Sequence, residues 1–307
     1  MMRRRSAALV AIAAAVAVLV AGCSSPDEAA APTATRTPSA SAPTATPAPY
    51  DADFAALEAT FGSRLGVYAI DTGSGREVAY RADERFAYAS TFKALAAAAV
   101  LQKYDLSELD RVVTYARSDL ITYSPVTELH VDTGMPLRDI MAAALHVSDN
   151  TAGNVMLDEL GGPEGFTAAL AALGDDVTRS VRWEAGLNDA VPGDPRDTTS
   201  PRAFASDLRE FGLGDALSAE KKAVLLDWMR GNSTGQTLIR AGVPADWTVA
   251  DKSGSGGYGV RNNIAIVWPP DAAPIVMAIM STRDTLDAPR DDALIAQAAT
   301  AAVAALG

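Results

Sequence analysis

Strand patterns occur near both ends of this 307-residue chain, and helical patterns fill the long stretch between them. Alternating apolar and polar residues indicate a strand at residues 64–71, and further strands are predicted at residues 76–81, 247–252, 263–268 and 274–281. The first two strands surround a short glycine-containing turn, so they are expected to pair as an antiparallel hairpin. A sheet that is built from both chain ends leaves the segment from Ser90 to about Arg230 as an insertion.

This arrangement predicts an α/β (α+β) fold with two lobes. One lobe, at about residues 50–85 and 231–307, holds an antiparallel sheet of about five strands. A helix ending at Gly62 and another over residues 291–306 flank that sheet. The inserted lobe, at about residues 86–230, is all-helical. Because small-molecule sites usually lie in clefts between lobes, we expect an active site at their border.

The first residues do not belong to the folded domain, which we place at residues 50–307. Residues 1–22 have a basic start and an apolar run too short for a spanning helix, as in a signal peptide. They lead into Cys23 through Val-Ala-Gly, which resembles the lipobox of bacterial lipoproteins; a secretory signal with an incidental cysteine is the alternative. Residues 23–49 are rich in Ala, Pro, Thr and Ser, which is typical of a disordered linker. We expect export, acylation of Cys23 and a lipid anchor on the outer face of the cytoplasmic membrane, or release to the medium.

Composition excludes several classes of function. The formal net charge of −12 argues against nucleic acid as a partner. Cys23 is the only cysteine, so no intramolecular disulfide forms. With only His130 and His146, the chain has few nitrogen ligands for a zinc hydrolase, and a Ser-His-Asp triad requires one of the two as base. We predict no metal, no cofactor and a monomer.

A serine and a lysine three residues apart, Ser90 and Lys93, mark the start of an alanine-rich helical segment. Residues three apart share a helix face, so the lysine nitrogen can reach the serine hydroxyl, as a serine nucleophile requires. A second pair with this spacing, Ser218 and Lys221, is interpreted as a helix N-cap and a solvated lysine. One such tetrapeptide is weak evidence, and the residues that follow Ser90 along the chain decide the matter.

Three further segments complete the pattern: Ser148-Asp149-Asn150, then Glu184 with Asn188, then Lys252-Ser253-Gly254-Ser255-Gly256. In the identity and separation of these parts, the chain resembles the class A serine β-lactamases. The resemblance extends from about residue 51 to the C-terminus. It implies a fold with an active site between a sheet lobe and a helical lobe.

The resemblance also implies the roles of the reacting groups. Ser90 is the nucleophile, and its base is either Lys93 or Glu184 acting through a water. Ser148 relays a proton to the leaving nitrogen. Asn150 bonds both Lys93 and the side-chain amide of the substrate.

A second group of residues is implied to bind the substrate. Lys252 places a positive charge near the substrate carboxylate, Ser253 donates a hydrogen bond to it, and Arg261 reaches the same group. The backbone N–H groups of Ser90 and Ser255 surround the developing oxyanion.

The residues around Glu184 distinguish a hydrolase from a protein that is only acylated. Glu184 is implied to act as general base for deacylation, with Asn188 fixing the water. Arg182 and Asp197 match the two positions that pair across the neck of the family's Ω-loop. Tyr123 matches an aromatic residue on the wall of the cleft entrance.

We therefore expect an enzyme that hydrolyses the amide of penicillins or cephalosporins through a serine acyl-enzyme and so confers antibiotic resistance. One alternative is a D,D-peptidase or penicillin-binding protein, which lacks an equivalent of Glu184 with Asn188. Another is a non-catalytic lipoprotein that binds the cell wall.

Overall fold

The computed structural model describes residues 48–307. The predicted signal peptide, the lipidation site at Cys23 and nearly all of the linker at 23–49 lie outside the described residues. Their assignments, and the division of the domain into two lobes, stay predictions.

Helices and strands alternate irregularly along the described chain. In order they are α1 (Asp51–Phe61), β1 (Arg64–Asp71), β2 (Glu77–Tyr80), β3 (Phe86–Ala87), α2 (Phe92–Lys103), β4 (Val112–Val113), β5 (Met135–Pro136), α3 (Leu137–His146), α4 (Asn150–Leu160), α5 (Gly162–Ala171), β6 (Thr198–Thr199), α6 (Pro201–Gly212), α7 (Ala219–Arg230), α8 (Ile239–Gly242), β7 (Thr248–Ser255), β8 (Arg261–Trp268), β9 (Ile275–Thr282) and α9 (Asp292–Leu306). Among residues 48–307, no helix has both the length and the apolar character needed to cross a membrane.

The main sheet has five strands in the order β2-β1-β9-β8-β7, and every neighbouring pair is antiparallel. Strands from the two chain ends meet where β1 pairs with β9, with Arg64 opposite Thr282 and Asp71 opposite Ile275. The five-stranded antiparallel sheet predicted from the sequence is confirmed.

Both faces of the sheet are covered. Along β1, Val67 and Ala69 pack into a cluster with α1 and α9, whereas Tyr68 and Ile70 pack into the larger cluster that contains α2 and α6. Successive residues of a strand point to opposite faces, so a strand buried on both sides reads as a continuous apolar run.

Helix α2 lies at the centre of the helical part of the molecule. Its ten residues from Phe92 to Leu101 are all buried. Alanine fills five of these ten positions, and its small side chain lets α4, α6 and α7 pack against α2. The N-terminal end of this buried helix therefore has a position fixed by the whole core.

The strand that carries the Lys252 motif is longer than the sequence predicted. Strand β7 continues past Lys252 to Ser255 because these residues keep pairing with β8. Their small side chains also fit a close approach of two backbones. A Cβ on Gly254 would lie 2.9 Å from the Tyr88 carbonyl oxygen and 3.0 Å from the Thr91 nitrogen. The contact brings the edge of the sheet against the segment that carries Ser90.

Candidate active site

Ser90 lies in a 3₁₀ turn at Ala89–Thr91, directly before α2, and Lys93 is in the first turn of that helix. The Lys93 ammonium donates to the Ser90 hydroxyl at 3.2 Å, as the three-residue spacing predicts. Ala89 has a φ of 47°, in the left-handed region that non-glycine residues rarely adopt. The serine is 8% exposed, so its hydroxyl is reached only from one side.

Lys93 is fully buried and surrounded by oxygen atoms. Its ammonium lies 2.7 Å from Asn150 Oδ1, 3.0 Å from the Ser148 carbonyl oxygen and 2.9 Å from Glu184 Oε1. Burial lowers the pKa of Lys93, and the neighbouring Glu184 carboxylate opposes that shift. The lysine is therefore poised to exchange protons with Ser90 and with Ser148, whose hydroxyl lies 3.5 Å away.

Glu184 contacts both Ser90 and Lys93. Its Oε1 accepts from the Ser90 hydroxyl at 3.4 Å, and its Oε2 accepts from Asn188 Nδ2 at 2.5 Å. The other amide atom, Asn188 Oδ1, is buried and has no hydrogen-bond partner among the described residues. Asn154 holds the backbone of Glu184 by two hydrogen bonds. The Glu184–Ala185 peptide bond is cis.

The clasp expected across the neck of the Ω-loop is present. Arg182 Nε donates to Asp197 Oδ2 at 2.5 Å, and a second guanidinium nitrogen donates to Asp189 at 2.8 Å. The buried Asp197 carboxylate also accepts from the backbone N–H groups of Val181 and Arg182 and from the Tyr88 hydroxyl. With four donors, the carboxylate ties both ends of the loop together and so fixes the position of Glu184.

The opposite wall of the cleft carries Ser148, Asn150 and Tyr123. Ser148 has a φ of 62° and Tyr123 a φ of 67°, so both lie in the left-handed region. Asn150 begins α4, and its Nδ2 donates to the Thr122 carbonyl oxygen at 2.8 Å. Buried Asp149 caps α4 through the Ala152 N–H and so orients its neighbours. Tyr123 is 58% exposed at the rim of the cleft.

Lys252 lies beneath the wall that β7 forms. It is fully buried, and its ammonium donates to the Ser253 carbonyl oxygen at 2.9 Å. Burial, and next the charge of Lys93, lower the pKa of Lys252 to about 7. Its charge therefore depends on pH in the neutral range.

Arg261 faces the cleft from β8 but is already paired. Its Nε donates to Asp292 Oδ1 at 2.6 Å and its Nη2 donates to Asp292 Oδ2 at 3.3 Å. A second arginine that the sequence analysis did not select, Arg290, also lines this end of the cleft. Its exposed position in the loop before α9 gave no motif by which to find it.

The site residues enclose one cleft of about 400 Å³. Lys93, Glu184 and Lys252 lie below its surface, whereas Arg182 and Asp197 lie farther away at the loop neck. The lining residues are Ser90, Tyr123, Ser148, Asn150, Asn188, Thr234, Ser253, Gly254, Ser255, Arg261 and Arg290. Within residues 48–307, no three His, Cys, Asp or Glu side chains come together in a way that would hold a metal ion.

Two other residues were missed by sequence reasoning. Asn154 lies four positions after Asn150, on the same face of α4, but its contact with Glu184, thirty positions along the chain, has no local signal. Thr234 follows α7 in a loop and contacts Ser253 across the cleft floor, a contact that no local pattern reveals.

Comparison with known proteins agrees with this geometry. The model of the β-lactamase enzyme family matches residues 49–306. A β-lactamase of Amycolatopsis lactamdurans is 60% identical over 255 residues, which cover 83% of this chain and 84% of the relative. The β-lactamase AST-1 of Nocardia asteroides is 51% identical over 306 residues, 99% of this chain and 96% of the relative. The crystal structure of a class A β-lactamase from Clostridium kluyveri DSM 555 superimposes with a TM-score of 0.83 at 52% identity, covering 84% of this chain and 98% of that one.

The sheet with its helical insertion, and the serine, lysine and carboxylate in one cleft, are those of a class A serine β-lactamase. The chain belongs to the β-lactamase enzyme family.

Proposed function

We propose that Ser90 is acylated by the β-lactam and that a water activated by Glu184 releases the opened acid. The overall reaction, hydrolysis of the β-lactam amide, is that of the family to which the chain belongs, and it confers resistance to β-lactam antibiotics. One observation carries the assignment of residues: the buried Glu184 carboxylate contacts Ser90 on one oxygen and Asn188 on the other.

In acylation, the Ser90 oxygen bonds to the carbonyl carbon and its proton passes to the Lys93–Glu184 pair. Both members of the pair lie within reach of the hydroxyl, at 3.2 and 3.4 Å. Because both groups contact the hydroxyl, we assign the role of base to the pair. The C–N bond then breaks, and the nitrogen receives a proton through Ser148, which contacts Lys93.

In deacylation, the attacking water donates its proton to Glu184. Asn188 Oδ1, which is buried and has no hydrogen-bond partner within residues 48–307, supports this step because it supplies an acceptor that orients the second proton of that water. The water oxygen bonds to the acyl carbon, the ester bond to Ser90 breaks, and the serine regains its proton.

Substrate binding is assigned to the β7 side of the cleft. Ser253 and Arg261 face the position proposed for the substrate carboxylate, and Lys252 contributes charge from below. The N–H groups of Ser90 and Ser255 are proposed to hold the oxyanion, an assignment supported by the contact of β7 with the Ser90 turn. Asn150 and Tyr123 are proposed to contact the substrate's side chain.

The residue assignment is tested by comparing Glu184→Ala with Ser90→Ala. We expect Glu184→Ala to accumulate an acyl-enzyme, seen by intact mass as the protein plus the whole β-lactam. Ser90→Ala forms no adduct and serves as the matched control. Turnover of Glu184→Ala at the parent rate would refute the assignment of the base.

Nitrocefin separates hydrolysis from the two alternatives. Multiple turnovers by the full chain are expected for the hydrolase. A single stoichiometric labelling would indicate a D,D-peptidase or penicillin-binding protein, and neither turnover nor labelling would indicate a non-catalytic cell-wall-binding lipoprotein.

We also propose that the protein is exported, acylated at Cys23 and anchored to the outer face of the cytoplasmic membrane as a monomer. The sequence of residues 1–23 supports this proposal. Labelling with an alkyne fatty acid is expected for the parent and lost in Cys23→Ala. Light scattering of the detergent-solubilised protein tests its monomeric state.

A further inference from the structure

A chain of hydrogen bonds runs from the buried interior to Ser253 on the cleft surface. The Asp251 carboxylate is fully buried and accepts from Asn232 Nδ2 at 2.7 Å. Asn232 Oδ1 in turn accepts from the Thr234 hydroxyl at 2.7 Å. The Thr234 hydroxyl lies 2.6 Å from the Ser253 hydroxyl, and both residues line the cleft.

The orientation of the Asn232 amide is fixed at both ends. Its nitrogen must face the Asp251 carboxylate, which accepts only, and Asp251 is itself held by Arg240 and Asn263. Its oxygen accepts a second hydrogen bond, from the Thr234 backbone N–H at 3.0 Å. An amide turned by 180° would set its oxygen against the Asp251 carboxylate and its nitrogen against the Thr234 backbone N–H.

Counting protons then fixes the direction of the remaining hydrogen bond. A hydroxyl has one proton, and that of Thr234 is donated to Asn232. The 2.6 Å contact between the two hydroxyls therefore uses the proton of Ser253. In this arrangement, Ser253 thus directs its proton toward Thr234 and away from the position proposed for the substrate carboxylate.

We infer that Thr234 is a positioning residue that reverses the Thr234–Ser253 hydrogen bond when a substrate carboxylate binds. This inference rests on the proposed role of Ser253 in binding that carboxylate. Ser253 turns its proton to the anion, and Thr234 turns its own proton from Asn232 to Ser253.

The reversal leaves both hydroxyl protons hydrogen-bonded, because the bond from the Thr234 hydroxyl to Asn232 is exchanged for one from Ser253 to the substrate. Before binding, the Ser253 proton bonds Thr234 and the Thr234 proton bonds Asn232. After binding, the Ser253 proton bonds the carboxylate and the Thr234 proton bonds Ser253. Asn232 Oδ1 keeps the Thr234 backbone N–H, so it is not left unpaired. In the bound state the proton from Thr234 polarises the Ser253 hydroxyl and strengthens its bond to the anion.

The test is a double-mutant cycle between Thr234→Val and Ser253→Ala. Valine matches the shape of threonine without its hydroxyl. We expect Thr234→Val to raise KM for benzylpenicillin about tenfold with a smaller change in kcat, since the carboxylate is bound alike in the ground and transition states. Thr234→Ser restores the parent KM, and the effect of Thr234→Val shrinks below about twofold in Ser253→Ala.

The methyl ester of benzylpenicillin serves as a second control, because it lacks the anion. With this ester, Thr234→Val is expected to have the same KM as the parent. Thr234→Ala is measured in parallel in case valine disturbs folding, and thermal unfolding of each variant is recorded. An unchanged KM in both Thr234→Val and Thr234→Ala, or an equal effect in the presence of Ser253→Ala, would overturn the inference. An unchanged KM in Ser253→Ala alone would instead refute the proposed carboxylate site, and the inference with it.

Discussion

Asn154 holds Glu184 by its backbone rather than by its carboxylate. Its Oδ1 accepts from the Glu184 N–H at 2.8 Å, and its Nδ2 donates to the Glu184 carbonyl oxygen at 3.1 Å. The Asn154 side chain thus forms with the Glu184 backbone the pair of hydrogen bonds that a neighbouring strand would form. The carboxylate keeps both of its oxygens for Ser90, Lys93 and Asn188.

Loss of this contact is expected to slow deacylation more than acylation. In Asn154→Ala the loop position of Glu184 is no longer fixed, and small displacements of a general base cost about tenfold to a hundredfold in rate. Stopped-flow measurements with nitrocefin would show a burst. The rate of its slow phase, which reports deacylation, would decrease, while the rate of its fast phase, which reports acylation, would change little. Equal loss in both phases would contradict a role confined to the position of Glu184 relative to the water.

The KM of the enzyme is expected to rise above neutral pH. Burial lowers the pKa of Lys252 to about 7, so its charge is present below that pH and is lost as the pH rises. The attraction for the substrate carboxylate weakens accordingly, and kcat/KM falls by up to about tenfold per pH unit. The profile is measured from pH 5.5 to 9. Lys252→Arg, whose guanidinium stays charged, is expected to remove this limb, and the methyl ester substrate is expected not to show it.

Asp207 is expected to destabilise the folded protein as the pH rises. The carboxyl is 3% exposed on α6, and its Oδ2 has no hydrogen-bond partner among the described residues. Burial, and next the charge of Asp175, raise its pKa from 3.8 to about 9. Between these values the unfolded chain has released a proton that the folded protein retains, so stability falls with increasing pH.

Asp207→Asn removes this titration and is expected to be the more stable form at pH 8. The free energies of unfolding of Asp207→Asn and of the parent are measured in urea at pH 5 and pH 8. The difference between the two proteins should grow by about 1 kcal/mol per pH unit. Asp176→Asn, an exposed neighbour, is the matched control and should follow the parent. A constant difference between Asp207→Asn and the parent at the two pH values would contradict the raised pKa.

The Ω-loop clasp is expected to support stability as well as activity. Asp197→Asn removes the charge that pairs with Arg182 in a buried setting, and breaking such a pair costs about 3 kcal/mol. The melting temperature and kcat should both decrease. By contrast, Arg196→Ala removes an exposed pair with Asp194 in the same loop and should change the melting temperature little. Similar losses in both variants would show that the loop responds to charge in general.

The sheet and the contact between Ser90 and Lys93 were predictable because their signals are local. Strand β1 matches the predicted residues 64–71, and the spacing of Ser90 and Lys93 places them on one helix face. Strand β7 was predicted too short, because glycine and serine are poor strand formers in isolation. Its last residues stay extended through pairing with β8 and contact with the Ser90 turn, which are tertiary effects.

The supporting residues were not predictable in the same way. Thr234 and Ser253 are nineteen positions apart, and Asn154 and Glu184 are thirty. Contacts over such separations depend on how the elements pack, which no periodicity in the chain records. Asp207 lies on α6, a helix with regular amphipathic spacing. Only the packing of α6 in the folded protein shows that the Asp207 carboxyl is buried.

The burial of α2 on all sides has a consequence for how this enzyme can change. Ser90, the proposed nucleophile, directly precedes a helix whose residues Phe92–Leu101 are all buried, so its position is fixed in the folded protein. Adaptation to a new antibiotic therefore has little freedom at the serine itself. Such adaptation is expected at the rim of the cleft instead, where the exposed residues Tyr123 and Arg290 can be substituted without destabilising the core.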